Sequence, residues 1–255
     1  MLLTIDAGNT NVVFAVFDGK KIVGQWRIST DARRTADEYG VWLTQVMEHE
    51  HLDPKKITGA ILASVVPQAI FDLRMLAKRY FHTDLMIVGD PALKPIMPVK
   101  IDNPREVGAD RLVNASAAWN RNKQALIVLD FGTATTFDVV NAKGEYVGGV
   151  IAPGVNLSLD ALQRAAAKLP NVGIMRPAKV VGTNTVAAMQ SGIYYGYAGL
   201  IDGIISRIKE EQGNGIKIIA TGGLASLYIK ACPVIEQIEP DLTVLGLKEI
   251  YEMNK

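Results

Sequence analysis

A duplicated strand–turn–strand pattern constrains the fold of this chain more than any other feature of its sequence. In each copy an apolar strand ends in an acidic residue, and a turn with glycine and threonine leads into a second apolar strand. A tight turn, Asp18-Gly19 or Lys143-Gly144, then precedes a third strand. The two acidic residues, Asp6 and Asp130, are separated by about half of the 255 residues. One supersecondary unit has therefore been used twice.

The rest of the pattern predicts an α/β fold, because strands alternate with helices after each three-strand start. Strands are expected at residues 2–5, 12–17, 22–28, 61–66, 85–88, 125–129, 137–140, 146–151 and 216–220, although the last part of the strand at 146–151 also fits a loop. Helices are expected at residues 35–50, 157–167 and 242–251 and from Pro67, Gly108 and Asn184, with loops at 89–107, 148–154 and 168–182. Two copies of this arrangement make duplicated RNase-H-like domains, over residues 1–117 and 118–255, with a nucleotide cleft between them.

Charge and composition argue against several functions. The 27 basic and 26 acidic side chains give a net charge of +1, so neither nucleic acid nor a membrane surface is an expected partner. No apolar run approaches the length of a membrane span, and Asp6 interrupts the N-terminus too early for a signal peptide. The single cysteine, Cys232, fits a reducing compartment and is expected to be an inert thiol. We therefore expect a cytoplasmic protein.

The two acidic turns carry groups that suit phosphate binding. Backbone N–H groups and threonine hydroxyls in a glycine-containing turn can surround a phosphate chain, and a carboxylate at its base can hold a metal ion. Each turn alone is also explained by the ordinary preference of Asp, Asn and Gly for turns. Repetition of both the acid and the threonine favours a nucleotide site, because turns needed only for geometry need not repeat them. The P-loop motif Gly-x-x-x-x-Gly-Lys-Ser/Thr does not occur.

Four motifs together resemble a known family. They are Asp6-Ala7-Gly8-Asn9-Thr10-Asn11, Gly108-Ala109-Asp110-Arg111, Asp130-Phe131-Gly132-Thr133-Ala134 and Gly182-Thr183-Asn184-Thr185. Their order and spacing resemble those of type III pantothenate kinases, within the actin, sugar-kinase and heat-shock ATPase superfamily. The resemblance implies an actin-like ATPase fold and phosphorylation of the 4′-hydroxyl of pantothenate by ATP, the first step towards coenzyme A. It also implies a cytosolic homodimer that needs Mg²⁺ and a monovalent cation, K⁺ or NH₄⁺.

The resemblance also implies a role for each motif residue. Asp6 would hold Mg²⁺ through water, and the ATP contacts would come from Asp6, Ala7, Gly8, Asn9, Thr10, Asn11, Val12, Val13 and Thr133. Asp110 would be the general base, since phosphoryl transfer to an alcohol needs a carboxylate that accepts the hydroxyl proton. Pantothenate would contact Gly108, Ala109, Asp110, Arg111 and Thr185, the last across the dimer. Asp130 would bind the monovalent cation.

Each role has an ordinary structural alternative. Asp110 is a favoured helix-capping residue, and Arg111 could be a solvated residue of the first helical turn. Thr185 could cap the following helix, and Asp130 could accept backbone N–H bonds from its turn. The pair Gly222-Gly223 could pass beneath the adenosine of ATP, or it could form an ordinary strand-to-helix turn.

The sequence departs from the family at one position and leaves other functions open. The tyrosine that often precedes the Gly-Ala-Asp-Arg glycine by seven residues, and contacts the substrate, is Ile101 here. A non-catalytic nucleotide-binding regulator would keep the fold without needing the carboxylate of Asp110. A kinase of another small hydroxylated metabolite would differ only in loop shape. The small, apolar face around Gly192 and Gly196 on the long helix predicts a homodimer.

Overall fold

The computed structural model describes residues 1–165 and 169–255, which form two compact units. Unit 1 consists of Met1–Pro98, Asp102–Ala117 and Asp241–Lys255, and unit 2 consists of Val99–Ile101 and Ala118–Pro240. The chain passes from one unit to the other after Pro98, Ile101, Ala117 and Pro240. This division differs from the expected domains at residues 1–117 and 118–255, because the C-terminal segment groups with unit 1 and not with unit 2.

The elements follow one another in the expected order of strands and helices. The strands are β1 Leu2–Ala7, β2 Asn11–Asp18, β3 Lys21–Ser29, β4 Gly59–Ser64, β5 Leu85–Ile87, β6 Leu126–Phe131, β7 Ala134–Val140, β8 Tyr146–Pro153, β9 Lys217–Gly222 and β10 Gln237–Ile238. The helices are α1 Ala36–His49, α2 Ile70–Tyr80, α3 Ala109–Asn122, α4 Val155–Ala165, α5 Thr185–Gln212, α6 Ala225–Tyr228 and α7 Leu242–Asn254. Among the helices described, none has the length and apolar character needed to cross a membrane.

Each unit is built on a mixed sheet of five strands among the residues described. The strand order is β3-β2-β1-β4-β5 in unit 1 and β8-β7-β6-β9-β10 in unit 2. In both sheets the first strand of the copy is antiparallel to the second and parallel to the fourth. The two sheets share one topology, which confirms the duplicated α/β unit predicted from the acidic turns.

Asp6 and Asp130 occupy equivalent positions in the two sheets. Asp6 is the penultimate residue of β1, and Asp130 is the penultimate residue of β6. Asp6 lies opposite Val13 of β2, and Asp130 lies opposite Thr136 of β7. Because both strands lead directly into a turn at the same end of their sheets, each carboxylate has the same relation to its own turn.

Local sequence signals define the ends of two helices that bear on the site. Thr35 caps α1 in a capping box, since its hydroxyl accepts from the N–H of Glu38 while a Glu38 carboxylate oxygen accepts from the N–H of Thr35. Asn184 caps α5 by accepting from the N–H of Ala187 at 2.9 Å. Both caps lie where the sequence predicts the start of a helix, at residue 35 and at Asn184.

The closing helix α7 packs on the sheet of unit 1, which explains the difference in the domain division. Its Val244 lies in an apolar cluster with Phe17, and its Leu247 lies in another with Ile61 and Val113. The sequence predicts a helix at residues 242–251 but does not say which sheet that helix will cover. That choice is made by the complementary apolar surface of the first sheet.

One predicted loop, at residues 148–154, is wrong, because β8 continues to Pro153. Pairing with β7 outweighs the poor strand preference of glycine, and Asp138 lies opposite Gly149 in this ladder. Gly148 has φ +137° beside an irregularity in the pairing, a conformation that suits glycine. The short α6 and β10 were not predicted, and the end of the helix expected at 157–167 lies outside the described residues.

Cys232 is fully buried in the core of unit 2. Burial, with a contribution from Asp202, raises the pKa of its thiol to about 12. Because the thiolate is the reactive form, this thiol is unreactive near neutral pH.

Candidate active site

The first acidic turn, between β1 and β2, is closed by backbone and threonine hydrogen bonds. The Gly8 N–H donates to the carbonyl of Asn11 at 3.0 Å. Thr30, just beyond β3, donates its hydroxyl to the Gly8 carbonyl at 2.6 Å and its N–H to the Thr10 carbonyl at 2.9 Å. Asn9 and Thr10 are exposed, so the tip of the turn is accessible to a ligand.

Thr30 is a residue that the sequence did not reveal. It stands 22 positions after Gly8, and only the pairing of β3 with β2, in which Asn11 lies opposite Ser29, brings it to the turn. No residue pattern connects the two segments. The hydrogen bonds from Thr30 to the turn are therefore a consequence of strand register, and a single sequence carries no local signal for them.

The residues predicted to contact ATP in this turn differ in their exposure to solvent. The side chains of Ala7 and Val12 are fully buried in the core of unit 1. Asp6, Gly8, Asn11 and Val13 are partly exposed, and Asn9 and Thr10 are exposed. Ala7 and Val12 can therefore meet a phosphate only through their backbone groups, whereas the tip of the turn presents side chains as well.

The motif Gly108-Ala109-Asp110-Arg111 lies at the N-terminus of α3, where backbone N–H groups and the helix dipole favour a negative charge. Asp110 Oδ1 accepts from the N–H of Arg111 at 2.8 Å. All four residues are partly exposed. The carboxylate is therefore oriented by the helix start and remains within reach of a substrate.

Gly108 lies close to Val65, which in turn is hydrogen-bonded to the strand that leads into the first acidic turn. A Cβ on Gly108 would lie 2.6 Å from Asp110 Oδ1 and 3.5 Å from Cγ1 of Val65. Val65 in turn donates its N–H to the carbonyl of Ala7 at 3.1 Å. Within unit 1 the structure thus brings two of the four predicted motifs together, at the end of the sheet where β1 and β4 finish.

The second acidic turn, between β6 and β7, lies in unit 2. The Gly132 N–H donates to the carbonyl of Ala134 at 3.1 Å, and both Gly132 and Thr133 are exposed. The N–H of Gly154, just after β8, donates to the Thr133 carbonyl at 3.1 Å. A Cβ on Gly154 would lie 2.2 Å from that carbonyl oxygen, so only glycine allows this close approach.

Gly222 makes room for the carboxylate of Asp130. It ends β9, lies opposite Phe131 and has φ +89°. A Cβ there would lie 2.6 Å from Asp130 Oδ1, whereas a Cβ on the next residue, Gly223, would meet nothing within 4 Å. The first glycine of the pair is thus a neighbour of Asp130, a relation that the sequence did not predict.

Thr185 is the first residue of α5 and is exposed. It lines a cavity of about 690 Å³ in unit 2, together with Leu162, Leu169, Asn184, Met189 and Ile193. The lining of the cavity thus combines apolar side chains with the polar residues that begin α5. Thr185 is therefore placed where a small molecule with both polar and apolar parts fits.

Ile101, which replaces the family's tyrosine, belongs to a short segment attached to unit 2. Val99 forms a parallel bridge with Tyr146, and the Lys100 N–H donates to the Tyr146 carbonyl at 2.8 Å. The Tyr146 hydroxyl donates to Asp138 at 2.8 Å, in the interior. The hydroxyl of this neighbouring tyrosine is therefore hydrogen-bonded within the buried interior of unit 2.

The predicted cation ligands, Asp6 and Asp130, are carboxylates at equivalent positions in the two sheets. Across residues 1–165 and 169–255 there is no group of three or more His, Cys, Asp or Glu side chains that could hold a metal ion. Asp6 and Asp130 each stand beside a turn suited to phosphate. In kinases, Mg²⁺ completes its coordination with phosphate oxygens and water.

Comparison with known proteins identifies relatives over the full length of the chain. The family model described as Type III pantothenate kinase matches residues 2–207. The Type III pantothenate kinase of Paramagnetospirillum magneticum is 57% identical over 254 residues, covering 100% of this chain and 98% of the relative. That of Rhodospirillum rubrum is 55% identical over 255 residues, covering 100% and 99%. The solved structure of MreB 5 of Spiroplasma citri bound to AMPPNP has a TM-score of 0.56 at 12% identity, covering 98% and 96% of the two chains, and supports the actin-like fold alone.

Proposed function

This chain belongs to the type III pantothenate kinase family, and from this premise we propose that it transfers the γ-phosphoryl group of ATP to the 4′-hydroxyl of pantothenate. The product, 4′-phosphopantothenate, starts coenzyme A biosynthesis. One observation carries the proposal, namely identity of 57% to a pantothenate kinase over the whole chain. All four motifs lie inside the residues that match the family, so the likeness includes the candidate site as well as the fold.

ATP with Mg²⁺ is the phosphoryl donor in this proposal, and the two acidic turns bind it. The backbone of residues 7–13 and the hydroxyl of Thr133 donate hydrogen bonds to phosphate oxygens. Asp6 holds the magnesium ion through water. The magnesium ion offsets phosphate charge, and the exposure of Asn9, Thr10 and Thr133 at the turn tips supports these assignments.

Asp110 acts as the general base in the proposed reaction. Its carboxylate accepts the proton of the 4′-hydroxyl as the alcohol oxygen bonds to phosphorus and the bond to ADP breaks. Arg111 pairs with negative charge on pantothenate or on the transferred phosphoryl group. The position of both residues in the first turn of α3, with Gly108 leaving space beside Asp110, supports these roles.

A turnover assay tests the substrate. ATP consumption is measured with pantothenate and, separately, with a panel of sugars and hydroxy acids at equal concentration. We expect pantothenate to be strongly preferred and 4′-phosphopantothenate to form in step with ADP. Turnover of another panel member in preference to pantothenate would indicate a kinase of a different metabolite. ATP binding without turnover of any acceptor would favour a non-catalytic regulator.

A monovalent cation, K⁺ or NH₄⁺, binds at Asp130 in this proposal. The carboxylate stands beside the Gly132-Thr133 turn, and Gly222 leaves it space that a side chain would fill. A large, weakly hydrated cation can join a carboxylate to a phosphate oxygen without the strict octahedron of Mg²⁺. Such a cation offsets the charge that ATP and Asp130 bring together.

A cytoplasmic homodimer completes the proposal, with Thr185 contacting the pantothenate bound by the partner. Gly192, Gly196 and Gly199 are exposed on one face of α5, and a Cβ on any of them would meet nothing within 4 Å. Glycine costs stability inside a helix, so an exposed row of glycines is best explained by close approach of another backbone.

The dimer is tested by light scattering at micromolar concentration. We expect a mass of twice 27.6 kDa for the wild type. Gly196→Arg should give monomers, because a long side chain blocks close helix packing. Gly215→Arg, at an exposed glycine outside α5, should remain dimeric. A wild type that is monomeric at this concentration would exclude both the dimer and the shared role of Thr185.

A further inference from the structure

The turn that carries Thr133 is supported from within unit 2 by a buried tyrosine outside all four motifs. Tyr197, on α5, is only 6% exposed, and its hydroxyl contacts both the carbonyl oxygen of Pro153 and Oγ1 of Thr135, the latter at 3.1 Å. Thr135 is fully buried. A carbonyl oxygen can only accept, so the phenol proton goes to Pro153 and the Thr135 hydroxyl donates to the phenol oxygen.

Thr135 and Pro153, which contact the Tyr197 hydroxyl, both lie next to the turn at Gly132-Thr133. Thr135 follows Ala134, whose carbonyl accepts the N–H of Gly132 at 3.1 Å. Pro153 lies opposite Ala134 at the last pair of the β7–β8 ladder. The phenol therefore holds together the two strand ends from which the turn projects.

Pro153 is joined to the turn itself through the next residue. Gly154 donates its N–H to the Thr133 carbonyl at 3.1 Å, and its Cα lies so close that an added Cβ would be 2.7 Å from the Gly132 carbonyl oxygen. Any movement of the Pro153 carbonyl thus moves the peptide that fixes Thr133. The contacts run without interruption from the Tyr197 hydroxyl to the backbone of the turn.

We infer that Tyr197 is a positioning residue for the phosphate-binding turn at Gly132-Thr133. The inference rests on the proposed ATP contact of Thr133, and Tyr197 itself acts on the turn through Pro153, Gly154 and Thr135. Its hydroxyl also has a side-chain hydrogen bond with Ser158 on α4. The Tyr197 hydroxyl sets the distance between the ends of β7 and β8, which sets the direction of the Thr133 hydroxyl. Hydrogen bonds to phosphate depend steeply on such direction.

The inference is tested with Tyr197→Phe, which removes the hydroxyl and keeps the buried ring. The matched control is Tyr194→Phe, because Tyr194 lies one turn away on α5, is 1% exposed and donates its hydroxyl to Leu227 at 3.4 Å, away from the turn. The measurements are the KM for ATP, the KM for pantothenate, kcat, the melting temperature, and the Kd for ATP by calorimetry.

We expect Tyr197→Phe to raise the KM and Kd for ATP roughly five- to twentyfold, since one buried hydrogen-bonding group is lost beside the turn. The KM for pantothenate should change less than about twofold. Tyr194→Phe should leave all binding constants within about twofold of the wild type. A general loss of packing would instead weaken the binding of ATP and of pantothenate to a similar extent.

Thr135→Val provides a second variant that keeps the phenol bond to Pro153. We expect it to weaken ATP binding in the same direction but by less than Tyr197→Phe. The inference is overturned if ATP binding by Tyr197→Phe equals that of the wild type, or if both tyrosine variants weaken ATP and pantothenate alike in proportion to their melting temperatures. Calorimetry with ATP alone keeps this outcome distinct from failure of the proposed function, which shows as absent pantothenate turnover in the wild type.

Discussion

Replacing Asp110 by asparagine is expected to lower kcat by about 10² to 10⁴-fold, the usual contribution of a positioned general base. This loss corresponds to roughly 3–5 kcal/mol of activation free energy. Asparagine has nearly the same shape, and its amide oxygen can still accept the Arg111 N–H that Asp110 Oδ1 accepts at 2.8 Å. What the substitution removes is the ability to take up the proton of the attacking hydroxyl. The melting temperature and ATP binding should therefore stay close to those of the wild type.

The measurement is steady-state turnover of pantothenate, with the Kd for ATP and the melting temperature recorded for each variant. Asp84→Asn is the matched control, since it removes an exposed carboxylate of the same unit outside every motif. It should retain wild-type kcat. If a well-folded Asp110→Asn variant lost less than tenfold in kcat, Asp110 would be a helix-start residue and not the base.

Removing the carboxylate of Asp130, the proposed ligand of the monovalent cation, is expected to have the next largest effect. Turnover by the wild type should fall sharply when K⁺ is replaced by Na⁺ or a bulky organic cation at fixed ionic strength. Asp130→Ala should be slow whichever cation is supplied. The reason is electrostatic, because ATP brings several negative charges to a turn beside which Asp130 already places a carboxylate. A weakly hydrated cation bound between them lowers this repulsion.

Two adjacent glycines provide a variant and a matched control for crowding around Asp130. Gly222→Ala should displace both the carboxylate and the strand end that carries it, because the new Cβ would lie 2.6 Å from Asp130 Oδ1 and 2.7 Å from the backbone N and O of Phe131, at a residue with φ +89°. This variant should lose both turnover and the preference for K⁺. Gly223→Ala, where the added Cβ meets nothing within 4 Å, should keep both. Equal turnover by the wild type in all these salts would make Asp130 a structural residue.

Much of the architecture was predictable because it is encoded in local periodicity and repeated twice. The apolar strands, the acidic residues at their ends and the tight turns gave the three-strand units. The alternating helices gave the α/β class. The pairing of Ile61 and its neighbours with β1, and of residues 217–222 with β6, follows from using the same unit twice. The predicted loop at residues 148–154 failed because strand pairing, which is not local, outweighed the preferences of its glycines.

The sequence by itself determined the duplicated unit, the four motifs and the family, because each is carried by residues that are close together in the chain. Only the tertiary structure decided which distant groups support them: Thr30 on the first turn, Tyr197 and Gly154 behind the second, and Gly222 beside Asp130. It also decided that α7 packs on the first sheet. The physical reason is that these contacts depend on strand register and on the matching of buried surfaces, and both arise only when segments far apart in the chain are brought together.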